Sequence, residues 1–404
     1  MTPDAIALRA QFPLLAANPD LHYLDSAATA QIHQAALEAV HRHETTRRAN
    51  ILRGTYALAE AASAAYDSAR QTAARFLNAR SAREVVFTSG ATAAINLVAH
   101  SFGGTLDAGD VIVVSPAEHH SNFVPWQRLR DRAGIELKLL PLQPDGRIDL
   151  SAVAQALCKR CRLIAITHCS NVTGAVTDVA TVVAAAKGVG ARVLLDGAQA
   201  VQHGPVDVRS LGIDFYAFSG HKCFGPTGVG VLWARLELLD SMPPFMAGGG
   251  MVGQVSAERT TYAEPPRRFE AGTPPIAQAV GLAAALDWMM SLPWDIVGLS
   301  ELDLAKRLLD GLAERAGVRV LGPVDMNDRM PIVSFDVAGV HPHDLTQVLD
   351  EDGLALRGGH HCAQPLMAAL GVEACTRASI ALYNTAVDVD ALLAGLDRAL
   401  RILK

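Results

Sequence analysis

The chain has 404 residues, half of them hydrophobic and 19% charged, with a formal net charge of −6. That length and composition support a core large enough for two domains and exclude an intrinsically disordered chain. The weakly acidic balance supplies no basic stripe, which argues against a nucleic acid or an anionic membrane surface as partner and leaves small molecules and proteins.

Residues 1–23 lack a basic stretch followed by a long apolar run, and no later segment approaches the roughly 20 apolar residues that span a bilayer. The expectation is a cytoplasmic protein with no membrane partner. Six cysteines are too sparse for a disulfide framework, in keeping with a reducing compartment. Residues 1–20 read as a helix and extended arm packing on a second domain. Residues 21–275 read as a large α/β domain. Within it, apolar runs at 85–87, 111–114, 163–166, 193–195, 215–218 and 229–232 alternate with longer amphipathic stretches. This is the pattern of a mainly parallel sheet with helices on both faces. Such sheets bind ligands beyond the carboxyl ends of their strands, where Thr88 to Gly90, His119, Asn171, Asp196 and Ser219 to Lys222 fall.

The string TSGATAAIN (88–96) is a strand end, a glycine turn and a helix start. Outward-facing amides at Ala91 and Thr92 suit a phosphate, although the string also reads as an ordinary N-cap. In EHHSN (118–122) the adjacent histidines point apart and no third ligand lies at metal spacing, so no metal is expected. His119 reads as a ring-stacking aromatic with His120 turned away. Cys158 and Cys161 form a lone C-x-x-C with no second pair, which reads as two helix-end or loop thiols rather than zinc ligands. Asp196 ends an apolar strand, where a carboxylate is costly unless it meets a cation. A protonated pyridine nitrogen is such a cation, with Gln199 on the ring hydroxyl oxygen; an aspartate capping the next turn is the alternative. Lys222 follows the strand at 215–218 in FSGHK, flanked by glycines, His221 and Ser219. Partial desolvation there lowers an amine's pKa and favours a Schiff base.

After residue 240, proline pairs at 243–244, 265–266 and 274–275 and the glycines at 248–250 mark a connector. Residues 276–404 read as a smaller α+β domain with helices at 276–290 and 299–316 and strands at 331–337, 354–357 and 378–383. LRGGHHCAQP (356–365) sets Cys362 after two glycines and two histidines, a turn suited to a reactive thiol. Cys375 and Cys169 suit burial better. Arg377 offers a fork for a substrate carboxylate, or else a surface ion pair. A lysine, a strand-end acid, an anion site and a ring-stacking group together make the set that pyridoxal phosphate requires.

The ordered strings SGAT, EHHSN, THCSNVTG, DGAQAV, FSGHK, FEAGTP, RGGHHC and TRASIALYNT, from about residue 20 onward, resemble the SUF-type cysteine desulfurases of the class V aminotransferase family. The resemblance implies a fold type I homodimer holding pyridoxal 5'-phosphate near the subunit interface. It implies Lys222 as the Schiff-base lysine and general acid and base, Asp196 and Gln199 as ring partners, and His119 as the stacking histidine. Thr92, Ala91, Ser219 and His221 become phosphate contacts, joined by Thr273 from the other subunit. Asn171, Arg377 and Arg357 become substrate-binding, and Cys362 accepts sulfur from L-cysteine before passing it to a small acceptor protein. Leu52 and Tyr56 depart from the family's histidines on either side of Arg53 and Gly54, and Cys223 with Phe224 replaces Leu-Tyr, which puts a second thiol beside Lys222. Selenocysteine lyase is the family alternative. A sulfur-transfer scaffold and a hydrolase using Cys362 and His361 are the readings from other classes.

Overall fold

The computed structural model describes residues 5–52 and 54–404. Its large sheet orders seven strands as Val85–Thr88, Gly230–Ala234, Phe215–Ser219, Arg192–Asp196, Cys161–Thr167, Val111–Val114 and Glu136–Leu139. Gly230–Ala234 runs against both neighbours, and the remaining pairs are parallel. Alternate residues of each strand enter opposite layers. Val111 and Val113 join one hydrophobic cluster, Ile112 and Val114 the other, so helices such as Val179–Val189 and Ala91–Ser101 cover opposite faces. Glu136–Leu139 has no buried residue and an interrupted apolar pattern, which is why the sequence did not reveal it.

The strand order also explains the crevice. From Val111–Val114 the chain moves outward to Glu136–Leu139, then returns to pair Cys161–Thr167 on the other side. This reversal opens a gap beyond the strand ends. His119 follows one bordering strand and Asn171 the other.

The smaller sheet is antiparallel, ordered Val318–Leu321, Ile332–Val337, Cys375–Ser379 and Arg357–Gly359. Its register sets Arg357 directly opposite Arg377. Arg377 therefore lies inside a strand, rather than opening one at 378–383. The expected single strand at 354–357 divides between Leu354–Ala355, which pairs with His22–Tyr23, and Arg357–Gly359.

One domain expectation is corrected by packing. The Ile276–Met290 helix belongs with the large core, against Gln34–Thr46 and Ala57–Phe76, not with the unit that follows. It is buried on several sides, and a Cβ on Gly281 would lie 2.5 Å from Val40, a close approach that needs glycine. The small unit's core begins instead in Trp294–Ala313. The N-terminal arm joins the large core through Leu8, Phe12 and Leu15 and also meets the expected second domain, where Leu8 shares a hollow with Val297, Leu304 and Leu382. Phe12 packs edge-on to Phe224, Trp288 and Tyr383 at 5.6, 5.7 and 4.8 Å. Residues 1–4 of that arm lie outside the described residues. Among the described residues, no single helix is long and apolar enough to cross a membrane.

Candidate active site

A cavity of about 550 Å³ opens at the strand ends, lined by Ala91, Thr92, His119, Asn171, Asp196, Gln199, Ser219, His221, Lys222, Arg357, Cys362 and Arg377. Eleven positions expected to touch cofactor or substrate are thus gathered with Cys362 by seven separate segments of chain. Thr273 is not among them. It lines another hollow with Thr88, Ser89 and Phe269.

Lys222 ends the 3-10 turn Gly220–Lys222 that follows Phe215–Ser219. Burial lowers its ammonium from 10.5 to about 8, opposed by the attraction of Asp196. Asp196 is buried, and desolvation raises its pKa against the amide of Ala198 and the charge of Lys222. One carboxylate oxygen accepts from Ala198 at 3.0 Å, so the turn-capping role and an electrostatic role coexist. Gln199 donates through Nε2 to the Ala27 carbonyl at 3.0 Å, leaving Oε1 buried without a partner. That orphaned acceptor fits an incoming hydroxyl. His119 accepts the Ser121 amide on Nδ1 at 3.1 Å, and burial lowers its pKa to about 3, so its ring is neutral.

Gly90 holds φ +151° at the start of the Ala91–Ser101 helix, a region that favours glycine. The Ala91 amide does not face the cavity unpaired, as expected from sequence. It donates to Ser219 Oγ at 2.8 Å, leaving the Ser219 hydroxyl proton, Thr92 and His221 to meet an anion. His221 pairs through Nδ1 with Thr29 Oγ1 at 3.1 Å, and burial lowers its pKa to about 4. The aligned helix start, the buried acid, the unpartnered Gln199 oxygen and the neutral His119 ring fit pyridoxal phosphate.

Arg377 is buried. Its Nη1 donates to the Asn171 carbonyl at 2.9 Å and its Nη2 to Asp25 at 3.0 Å, while Nε is buried without a partner. Burial lowers its pKa, and Asp25 works against that. Arg357, half-exposed, reaches the same carboxylate at 4.0 Å. The paired cations at the wall therefore retain unspent charge for an anionic substrate.

Cys362 is exposed on the cavity rim, in a turn where His361 and Cys362 both take positive φ (51° and 55°). Non-glycine residues there cost about 1–3 kcal/mol each and need support. Support comes from Asn171 Nδ2 to the His361 carbonyl (2.8 Å), the His120 amide to the Cys362 carbonyl (2.7 Å), and the Cys362 amide to His360 Nδ1 (3.1 Å). Buried His361, held to a pKa of about 3, adds Nε2 to the Cys375 carbonyl at 3.1 Å. Its role is to hold the loop, which leaves the hydrolase pairing with Cys362 without geometric support.

Cys223 departs from expectation. It is fully buried, its thiol faces the Ser219 and Gly220 carbonyls, and burial pushes its pKa far up, so it presents no reactive sulfur beside Lys222. Leu52 and Tyr56 are exposed and absent from the cavity wall; Arg53 lies outside the described residues. The sequence reading missed Ala27, Ala28 and Thr29, as well as His341, His343 and His360 on the rim. The first group follows a two-residue strand too short to announce itself, although small and hydroxyl residues cluster there. Among the described residues no three His, Cys, Asp or Glu side chains are placed to hold a metal ion.

The family model "Aminotransferase class-V" matches residues 22–392. The chain belongs to the class-V aminotransferase family. A relative from Mycobacterium leprae named "Probable cysteine desulfurase 2" is 47% identical, with 99% of this chain and 98% of that one covered. The solved cysteine desulfurase of Escherichia coli bearing an S-sulfonic acid is 42% identical, with a TM-score of 0.93 and both chains fully covered. Another solved structure, a lysine-to-alanine mutant 26% identical with a TM-score of 0.82 over 98% of this chain and 99% of that one, carries glycine covalently linked to its pyridoxal phosphate cofactor. The large sheet and its strand-end crevice are the α/β fold type I architecture of this family.

Proposed function

We propose that the chain is a pyridoxal phosphate-dependent cysteine desulfurase that converts L-cysteine to L-alanine and retains the sulfur on Cys362. The observation that carries this reading is Cys362 on the rim of the same cavity that Lys222 and Asp196 line. Bound pyridoxal phosphate supplies an electron sink for the substrate's α-carbon. Asp196 keeps the ring nitrogen protonated, and His119 covers the ring face. Lys222, with a pKa of about 8, moves a proton at the α-carbon. Arg377, with Arg357, holds the substrate carboxylate. The Cys362 thiolate attacks the substrate sulfur: a sulfur–sulfur bond forms, the carbon–sulfur bond breaks, and the carbon's electron pair takes a proton to give alanine.

The reading includes a homodimer in which Thr273 reaches the other subunit's phosphate, a cytoplasmic setting, and a small acceptor protein of the SUF type. The acceptor follows from the clamped loop, since a persulfide held there travels little.

Comparing L-cysteine with L-selenocysteine in Cys362→Ala tests the reading. A selenol leaves more readily than a thiol, so selenocysteine turnover persists while cysteine turnover falls by orders of magnitude, as loss of a covalent nucleophile requires. Survival of cysteine turnover overturns the assignment. Cys169, the other thiol on the wall, faces the Ser170 and Gly174 carbonyls, and its pKa is pushed up to about 12 by burial.

A further inference from the structure

The chemistry above leaves the Cys158 and Cys161 pair unused. The two bound a tight turn in which the Cys161 amide donates to the Cys158 carbonyl at 2.9 Å. Such a closure holds the first and fourth Cα atoms within roughly 7 Å, and a disulfide spans about 4.4–6.8 Å. Access differs sharply between the two thiols. Cys158 is half-buried, whereas Cys161 has no exposed surface. The Cys161 thiol is pushed up to about 11, first by burial and next by the nearby Cys158, with Lys138 and Arg162 pulling the other way. Lys159 and Arg160 add exposed cations within the turn. An accessible thiol among cations, with a buried partner one turn away, is an arrangement suited to disulfide closure.

The turn opens the Cys161–Thr167 strand, and Thr167 at its far end lines the cavity. A seven-residue strand separates the pair from the cavity by about 20 Å. The dithiol is therefore a separate site.

We propose that Cys158 and Cys161 form a reversible intramolecular disulfide when the protein meets a hydroperoxide. The Cys158 thiolate takes an oxygen from the peroxide, whose O–O bond breaks, giving a sulfenic acid and an alcohol or water. The Cys161 sulfur then displaces that oxygen: the S–S bond forms, the S–O bond breaks, and the oxygen leaves as water with the thiol proton. Two electrons pass from the sulfurs to the peroxide. A dithiol reductant restores both thiols by exchange.

The test uses cofactor-loaded Cys362→Ala protein, which removes the exposed rim thiol, with hydrogen peroxide as the probe. Tryptic cleavage after Lys159 and Arg160 leaves the cysteines on different peptides, so the disulfide appears as one cross-linked pair. The expected result is that pair, two fewer alkylated thiols per chain, and full recovery with dithiothreitol. Adding Cys161→Ser leaves a Cys158 sulfenic acid that dimedone captures; adding Cys158→Ser abolishes peroxide-dependent loss at position 161. Circular dichroism and cofactor absorbance confirm that each variant is folded. The proposal is overturned if Cys158 proceeds to sulfinic acid with Cys161 still alkylated. It is equally overturned if the pair stays reduced at peroxide levels that oxidise Cys362 in the wild type.

Discussion

At Lys222 two forces compete, and burial outweighs the pull of Asp196 to leave the amine near 8. Roughly a tenth of it is then neutral at pH 7, far more than for an ordinary lysine. Cofactor-free protein should therefore take up pyridoxal phosphate faster as pH rises, with the rate levelling just above 8; a midpoint near 10.5 in a stopped-flow titration would contradict the burial argument. Borohydride reduction of the loaded protein, followed by peptide mapping, should mark Lys222. The same lowered pKa has a stability consequence. Between about 8 and 10.5 the unfolded chain holds a proton that the folded chain has released, so this lysine's contribution to cofactor-free stability rises with pH across that window. At Asp196, replacement by asparagine keeps the shape but not the charge that holds a pyridinium proton. Asp196→Asn is expected to retain bound cofactor while turnover falls by about 100-fold or more, measured as alanine formed.

Elements of the fold place these residues by means remote from the chemistry. Glu270 lies within the connector, just before the Ile276–Met290 helix. It accepts from Arg70 Nη1 and Nη2 at 2.6 and 2.8 Å, from the Phe87 amide at 2.7 Å and from Tyr66 at 3.1 Å. This buried fork ties the segment bearing Thr273 to the edge strand Val85–Thr88. Glu270→Ala strands a buried guanidinium and should cost about 3–5 kcal/mol in urea unfolding, with Glu270→Gln losing less because its amide oxygen still accepts. The Cys362 turn is another such element. Its hydrogen bonds to the Asn171 side chain and the His120 amide keep the thiol beside the cavity. Turnover should then be slow alone and rise when a small cysteine-bearing SUF-type acceptor protein is titrated in, because clearing the persulfide limits the cycle. A flat titration would indicate that the persulfide clears unaided.

For the whole molecule, the position of Thr273 poses the main question. Within one chain it lines a hollow apart from the cavity, and the hairpin of Val252–Val255 with Thr260–Tyr262 stands exposed nearby in sequence. The homodimer reading predicts a sedimenting mass twice the chain's 42.7 kDa. It also predicts that Thr273→Ala loses pyridoxal phosphate about 10-fold or more faster during dialysis with the dimer intact, as expected for one lost hydrogen bond to a charged group. A monomer with full cofactor retention would remove the cross-subunit contact.

What the sequence determined by itself was the set of strands whose residues are buried on both faces, and the polar strand ends where Asp196, Ser219 and Lys222 stand. Continuous apolar runs broken by glycine and charge are local signals, and one strand carries its own. The edge strand Glu136–Leu139 escaped because solvent accepts alternating polar residues there. Only tertiary structure decided that the Ile276–Met290 helix joins the large core, that Phe12 enters the same core, and that Cys223 turns away from Lys222 while Cys362 turns toward the cavity. The side on which a residue lies depends on helices and strands distant in sequence. Arg377 shows the limit most directly: its residue type suggested an anion fork, but its pairing with Asp25 depends on a contact across 352 positions that no local pattern encodes.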